Sequence, residues 1–157
     1  SLNSLVLGDA LAVALMEMRG FQEEDFAATH PGGSLGRRLL THVRDKMRTQ
    51  NLPYVSGDAS VHDALLSMTE GRLGMALVGT PERLDGIITD GDLRRLLVSG
   101  SDLAKVTVAE VATAQPLTIS PDVLMADAEA RMLEARVQCL VVVDAAGGVA
   151  GVIQIYE

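Results

Sequence analysis

The sequence predicts an α/β (α+β) protein made of two copies of one β-α-β-β-α unit, and three observations carry that prediction. The order strand, helix, strand, turn, strand occurs twice, at a spacing of about 64 residues. Individual positions align: Val43 with Val108 and Gly86 with Gly151 are each 65 apart, and Asp63-Ala64 with Asp127-Ala128 are 64 apart. One copy offers a three-stranded sheet with helices on one side and cannot bury both its faces alone, so two copies paired about a pseudo-twofold axis are expected.

The elements follow in order. From Leu5 to Met18 apolar residues run almost all round a predicted helix, as in a helix buried within a larger domain, and Arg19-Gly20 supplies a basic last turn and a glycine stop. A short acidic stretch, Phe21 to Thr29, leads into the glycine-rich loop His30-Pro31-Gly32-Gly33-Ser34-Leu35-Gly36-Arg37-Arg38, which opens another helix that Ser34 can cap. In the first copy Tyr54-Val55 reads as a strand, Ser60 to Glu70 as a helix with a Ser-x-x-Asp start, and Met75 to Val78 as a strand. A turn at Pro81-Glu82, strand Gly86 to Thr89, and helix Gly91 to Val98 stopped by Gly100 complete it. The second copy gives strand Leu117 to Ile119, helix Leu124 to Ala135, strand Cys139 to Val143, a Gly147-Gly148 turn and strand Val149 to Ile155. It stops at Glu157, where its last helix is due. That stop, and a start on helical sequence without Met, suggest a piece of a longer chain.

Composition narrows the functions. With 48% hydrophobic residues there is ample material for a core, but two Phe, two Tyr and no Trp leave little for stacking on bases. A formal net charge of −8 repels a phosphate backbone or an anionic lipid surface at long range, so neither nucleic acid nor membrane is expected as a partner, and an anionic ligand must be held locally. One cysteine, Cys139, excludes a disulfide framework within the chain and a thiolate metal cluster, and its place in an apolar run reads as core. His42 and His62 lack ligand spacing, so no metal is expected. Methionines such as Met68, Met75 and Met132 fall at apolar positions and read as core packing. Without an apolar run long enough to span a bilayer and without a secretion signal in Ser1-Leu2-Asn3-Ser4, the cytoplasm is the expected compartment.

The first copy closes with Gly86-Ile87-Ile88-Thr89-Asp90-Gly91-Asp92-Leu93, a strand running into a helix N-terminus. Such an end suits an anion: the Thr89 hydroxyl and the first helical amides can donate to a phosphate, Gly91 allows close approach, and Asp92 can accept from ribose hydroxyls. The alternative is that Thr89 or Asp90 merely caps the helix. Thr89, Asp92, Asp90, Gly91 and Ser56 form the candidate nucleotide-binding set. In the second copy, Gly151-Val152-Ile153-Gln154-Ile155-Tyr156-Glu157 puts Gln in place of Thr and Glu in place of Asp, so one competent site is expected.

The Gly-x-x-Thr-x-x-Asp pattern of Gly86, Thr89 and Asp92 resembles the ribose and phosphate signature of nucleotide-binding cystathionine-β-synthase (CBS) domains, over about Val43 to Glu157. By that resemblance the copies form a pair that binds a nucleotide between them. The leader is more specific. Leu7-Gly8-Asp9-Ala10-Leu11-Ala12, Arg19-Gly20-Phe21, Asp25-Phe26-Ala27 and the His30 to Leu40 run resemble the end of the sugar isomerase (SIS) domain of arabinose 5-phosphate isomerases, which carry a CBS pair next. The resemblance divides the chain into residues 1–42 as the end of the SIS domain, 43–104 as the first CBS domain and 105–157 as the second, cut before its last helix.

The resemblance implies a parent enzyme that interconverts D-ribulose 5-phosphate and D-arabinose 5-phosphate, supplying the sugar acid 3-deoxy-D-manno-octulosonate (Kdo) for bacterial surface polysaccharide. It places an active-site histidine at His30, where an imidazole titrating near neutrality suits either ring opening or proton transfer between adjacent carbons. The other reading of His30 is a loop residue that fixes the turn before Pro31. No cofactor is expected for catalysis. The regulatory ligand is expected to be AMP, ATP or the pathway product CMP-Kdo, the partners a phosphosugar and a nucleotide or nucleotide-sugar, and the assembly a homo-oligomer, dimer or tetramer. This piece alone is expected to be inactive, because the remaining catalytic groups would lie upstream. A free-standing nucleotide-sensing or scaffolding CBS pair is the alternative, and the apolar leader helix favours the isomerase. Arg37, Arg38, Arg44, Lys46 and Arg48 put five of the thirteen basic residues into twelve positions, read first as a solvated face or as ion pairs and second as a phosphate contact.

Overall fold

A computed structural model describes residues 2–20, 25 and 40–155. Helix α1 spans Leu2–Met18, three residues longer at its start than the apolar run suggests. Its described side chains, residues 6–8 and 10–18, stand in solvent: Leu7 is 73% and Met18 83% exposed, and Val6, Leu11 and Val13 are exposed as well. The expectation that this helix needs a partner therefore stands as a patch of uncovered apolar surface. The His30 to Leu39 loop and its Ser34 cap lie outside the described residues.

The first repeat consists of β1 (Tyr54–Val55), α2 (Val61–Gly71), β2 (Met75–Thr80), β3 (Arg83–Thr89) and α3 (Asp90–Ser99). The second consists of a short helix α4 (Val108–Val111), then β4 (Thr118–Ile119), α5 (Met125–Ala135), β5 (Cys139–Val143) and β6 (Val149–Gln154). Local chemistry sets the boundaries. Ser60 lies outside α2 as its cap, its Oγ accepting from the Asp63 N–H at 3.1 Å while its hydroxyl donates to the Asp63 carboxylate at 2.7 Å. Both α2 and α5 end in an arginine in the left-handed conformation, Arg72 (φ 53°) and Arg136 (φ 54°), 64 positions apart as the repeat requires. Strand β3 begins three residues before the expected Gly86, because Arg83 pairs with Thr80 across the tight Pro81-Glu82 turn.

Each sheet has its strands in sequence order, with the first pair parallel and the second antiparallel. A register irregularity falls at Val78/Gly79 in one sheet and Val142/Val143 in the other, again 64 apart. Side-chain alternation along β2 sends Ala76 and Val78 toward the first repeat's helices and Met75 and Leu77 to the other face. There they meet Val141 and Val152 of the second repeat, with Leu73, in a core between the two sheets. Both faces of each sheet are thus covered, which is why β2 and β5 read as unbroken apolar runs. Met68, Met75 and Met132 are buried as expected. Cys139 differs: it is only half-buried at the margin of the inter-sheet core, and burial raises its thiol pKa.

The segments leading into the repeats are exchanged. Val43, ahead of the first repeat, is fully buried in the core of the second, beside Ile119, Ala128 and Met132. Val108, its equivalent, is fully buried in the core of the first, beside Val61, Ala64 and Met68. Arg48 bridges to Val152 of β6, and Thr113 bridges to Ile87 of β3. Full burial of a valine contributes roughly 2 kcal/mol, so each repeat is held in part by the other's leader. Of the basic cluster, Arg44 pairs with Asp122 of the second repeat and Arg48 donates to the carbonyls of Gln50 (2.9 Å) and Asn51 (3.1 Å). Arg44 thus makes an ion pair between the repeats, as one of the two expected readings had it, whereas Arg48 holds neighbouring backbone carbonyls, which neither reading foresaw. Arg37 and Arg38 lie outside the described residues.

Candidate functional site

Where the two repeats meet at the end of the inter-sheet core, a cleft of about 400 Å³ opens. The first repeat contributes Leu73, Gly74, Ile87, Thr89, Asp90, Gly91 and Arg94, and the second Arg136, Val137, Gln138, Cys139 and Gln154. Of the candidate set, Thr89, Asp90 and Gly91 come together here. Ser56 does not line this cleft: it follows β1, and its Oγ accepts from the Asp58 N–H at 3.4 Å. His30 lies outside the described residues.

Thr89 is the N-cap of α3, and Asp92 stands three residues on. One Asp92 carboxylate oxygen accepts from the Thr89 N–H at 2.8 Å and from its hydroxyl at 2.6 Å, and the other oxygen pairs with Arg95. Asp92 is 6% exposed, its charge offset by these donors and by its place at a helix N-terminus. Thr89 and Asp92 thus form a capping box at the start of α3. Asp92 does not reach the cleft. It borders a second depression of about 440 Å³ with Arg95, Leu96 and Thr113. Within the cleft Thr89 keeps acceptor lone pairs, and the opening turn of α3 faces the ligand space through Asp90 and Gly91.

Steric detail separates the glycines around the site. A Cβ on Gly86 would lie 2.6 Å from the Thr113 carbonyl oxygen, and one on Gly151 would lie 2.7 Å from that of Arg48. Both are glycine because the exchanged leader crosses the strand there, which is why this residue persists in the second copy while Thr and Asp do not. Gly91 is different, since a Cβ there meets only ordinary contacts at 3.5 Å or more. Gly74, with φ +62°, faces the Asp90 carboxylate, 2.9 Å from where its Cβ would be.

Two residues that the sequence reading passed over give the cleft its charge. Arg94 in the second turn of α3 and Arg136 at the end of α5 place one arginine from each repeat on the lining, against the single carboxylate of Asp90. In a chain of net charge −8 this is local positive potential suited to an anion bridging the repeats. Arg136 had a signal, because the repeat alignment pairs it with Arg72 at the turn between helix and strand. Gln154 also lines the cleft, and its Nε2 donates to the Leu73 carbonyl of the other repeat at 2.5 Å.

The comparisons agree with this architecture. The CBS-domain profile matches residues 43–99 and 108–156. Among solved structures, the CBS-pair protein CBSX2 in complex with AMP is 30% identical, with a TM-score of 0.63 over 73% of this chain and 90% of that one. A CBS domain protein from Pyrobaculum aerophilum, complexed with AMP, has a TM-score of 0.66 at 18% identity, over 72% of this chain and 86% of that one, and bears on the fold alone. Curated relatives include arabinose 5-phosphate isomerase KdsD of Yersinia pestis, 46% identical over 90% of this chain and 44% of that protein. KdsD of Pseudomonas aeruginosa is 46% identical over 98% of this chain and 48% of its own length, and KpsF of Escherichia coli 43% over 98% and 47%. The chain spans about half the length of these relatives. Among the described residues no helix is long and apolar enough to cross a membrane. With the profile matching both repeats and the paired sheets matching solved CBS pairs, the chain belongs to the CBS-domain family.

Proposed function

We propose that this chain is the nucleotide-responsive CBS pair of an arabinose 5-phosphate isomerase, binding an anionic nucleotide in the cleft between its repeats. The observation that carries the reading is the cleft itself: both repeats line it, the N-terminus of α3 opens on it, and Arg94 and Arg136 flank it from opposite sides. The opening of α3 at Gly91, with Arg94 and Arg136, faces the phosphate end; the Thr89 hydroxyl, its proton given to Asp92, accepts from a ligand hydroxyl, and Asp90, whose N–H is held by the Gly74 carbonyl, borders the site. Asp92 acts from behind by fixing Thr89. Ser56 would join only if the ligand extends toward the end of β1. AMP, ATP and CMP-Kdo all carry the required charge, and AMP is the ligand named for the CBSX2 complex.

In the parent enzyme the reaction is the interconversion of D-ribulose 5-phosphate and D-arabinose 5-phosphate, with His30 as an acid/base group and no cofactor. The uncovered apolar side chains of α1 support this over a free-standing sensor, since burial against further protein would remove that surface from water. Ligand binding would then bias how the pair sits against the catalytic part, through a difference in affinity between two arrangements. The working assembly is a homo-oligomer in the cytoplasm. Calorimetric titration of AMP, ATP and CMP-Kdo into this chain is the test. At least one should bind below millimolar concentration, and Thr89→Ala should weaken it by about tenfold, the size of one lost hydrogen bond from a ligand hydroxyl to the Thr89 oxygen. Binding of none, or an unchanged affinity in Thr89→Ala, rejects the site.

A further inference from the structure

Taking the cleft as a nucleotide site, we propose that Gln154 is a positioning residue that ties the state of the cleft to residues 41–48, so that the signal leaves through the second repeat. The two copies use their equivalent residue differently. Thr89 closes on its own helix, its hydroxyl 2.6 Å from Asp92, whereas Gln154 reaches across the cleft to the Leu73 carbonyl of the other repeat. Gln154 ends β6, and β6 is also the strand to which the first leader is fastened. Two positions back, the Val152 N–H donates to the Arg48 carbonyl at 3.0 Å and the Arg48 N–H to the Val152 carbonyl at 2.8 Å. Beside them Gly151 leaves no room for slippage, since its Cβ would lie 2.7 Å from the Arg48 oxygen.

The same leader is pinned further along the second repeat, by the Val43 N–H to Val123 at 2.8 Å and the Arg44 N–H to Pro121 at 2.9 Å. Thr41, Lys46 and Gln154 border one surface depression of about 340 Å³, so Gln154 stands between the nucleotide cleft and the leader and lines both. The equivalent segment, residues 105–113, is fastened to the first repeat through Thr113 and Ile87, but it joins one repeat to the other and carries movement only within the pair. Residues 41–48 are the ones that continue toward α1. A ligand that takes over the Gln154 amide releases β6 from Leu73, and β6 bears directly on Arg48. Coupling of this kind needs an element with two arrangements, and the bond across the cleft, made or broken, supplies them.

The test needs no ligand. Gln154→Glu keeps the side-chain length but removes the donor, and native-state hydrogen exchange on this chain reads the leader directly. The amides of Val43, Arg44 and Arg48 should exchange about tenfold faster than in the parent sequence, the effect of one hydrogen bond, while those of Val108, Ala109 and Thr113 stay within about twofold. Gln154→Leu, which also lacks the donor but adds no charge, should give the same pattern and serves if the Glu variant does not fold. Leader amides that do not respond, or both leaders accelerating equally as in general loosening, overturn the proposal. Absence of AMP heat in calorimetry would instead count against the nucleotide reading, leaving the Gln154 result to stand or fall by itself.

Discussion

Val43 and Val108 occupy equivalent positions in the two repeats, and each is fully buried in the core of the other. The repeats therefore cannot unfold separately without each losing a residue from its own core. Val43→Ala and Val108→Ala should each lower stability by about 2 kcal/mol through lost burial and a residual cavity. Urea denaturation should give one cooperative transition with its midpoint shifted in both variants. Two separate transitions would mean that the exchanged leaders do not bind the repeats together.

Gly86, Gly151 and Gly91 should divide by cause. Gly86→Ala and Gly151→Ala press a Cβ into the Thr113 and Arg48 carbonyls, at 2.6 and 2.7 Å, and should each cost roughly 1–3 kcal/mol as backbone shifts to accommodate it. Gly91→Ala meets only ordinary contacts inside a helix and should be stabilising by about 0.5–1 kcal/mol. Thermal unfolding of the three variants checks this. A costly Gly91→Ala would show that something in the fold besides ligand clearance requires glycine there.

Two carboxylates predict an acid-side loss of stability. Hydrogen bonds from Ser60 hold the Asp63 carboxyl below its ordinary value, and backbone and hydroxyl bonds from Thr107 do the same for Glu110. A folded pKa below the unfolded one gives stability that is fully present above the unfolded pKa and lost as pH falls through the folded one. The loss should begin near the ordinary values of 3.8 and 4.5 and continue below them. In the double variant Asp63→Asn, Glu110→Gln, the urea midpoint should depend less steeply on pH between about 5 and 3. An unchanged slope would show that these caps contribute nothing to the acid limb.

Much of this was legible in the sequence, because periodicity and caps are local. The repeat at 64–65 residues, the Ser60 cap with Asp63, the Pro81-Glu82 turn and the apolar strand at Met75 to Val78 all follow from neighbours along the chain. The leader exchange was not legible. Val43 and Val108 look alike, and nothing nearby in sequence says which core each enters. Asp92 shows the same limit: the spacing to Thr89 fits both a ribose acceptor and a capping box, and burial at 6% with three donors decides where the carboxylate faces. Arg94, Arg136 and Cys139 reach the cleft only through the pairing of the two sheets, so their part in it appears only in three dimensions.

The most direct test of a site shared by both repeats is to remove the charge contributed by the copy that lacks the Thr and Asp of the signature. AMP titrated at low salt into this chain should bind below millimolar concentration, and Arg136→Ala should weaken it about tenfold or more, as Arg94→Ala should from the other side. Raising salt should shrink the difference, since the guanidiniums are exposed. Undiminished AMP binding in Arg136→Ala would contradict the account, because the nucleotide would then be held by the first repeat alone.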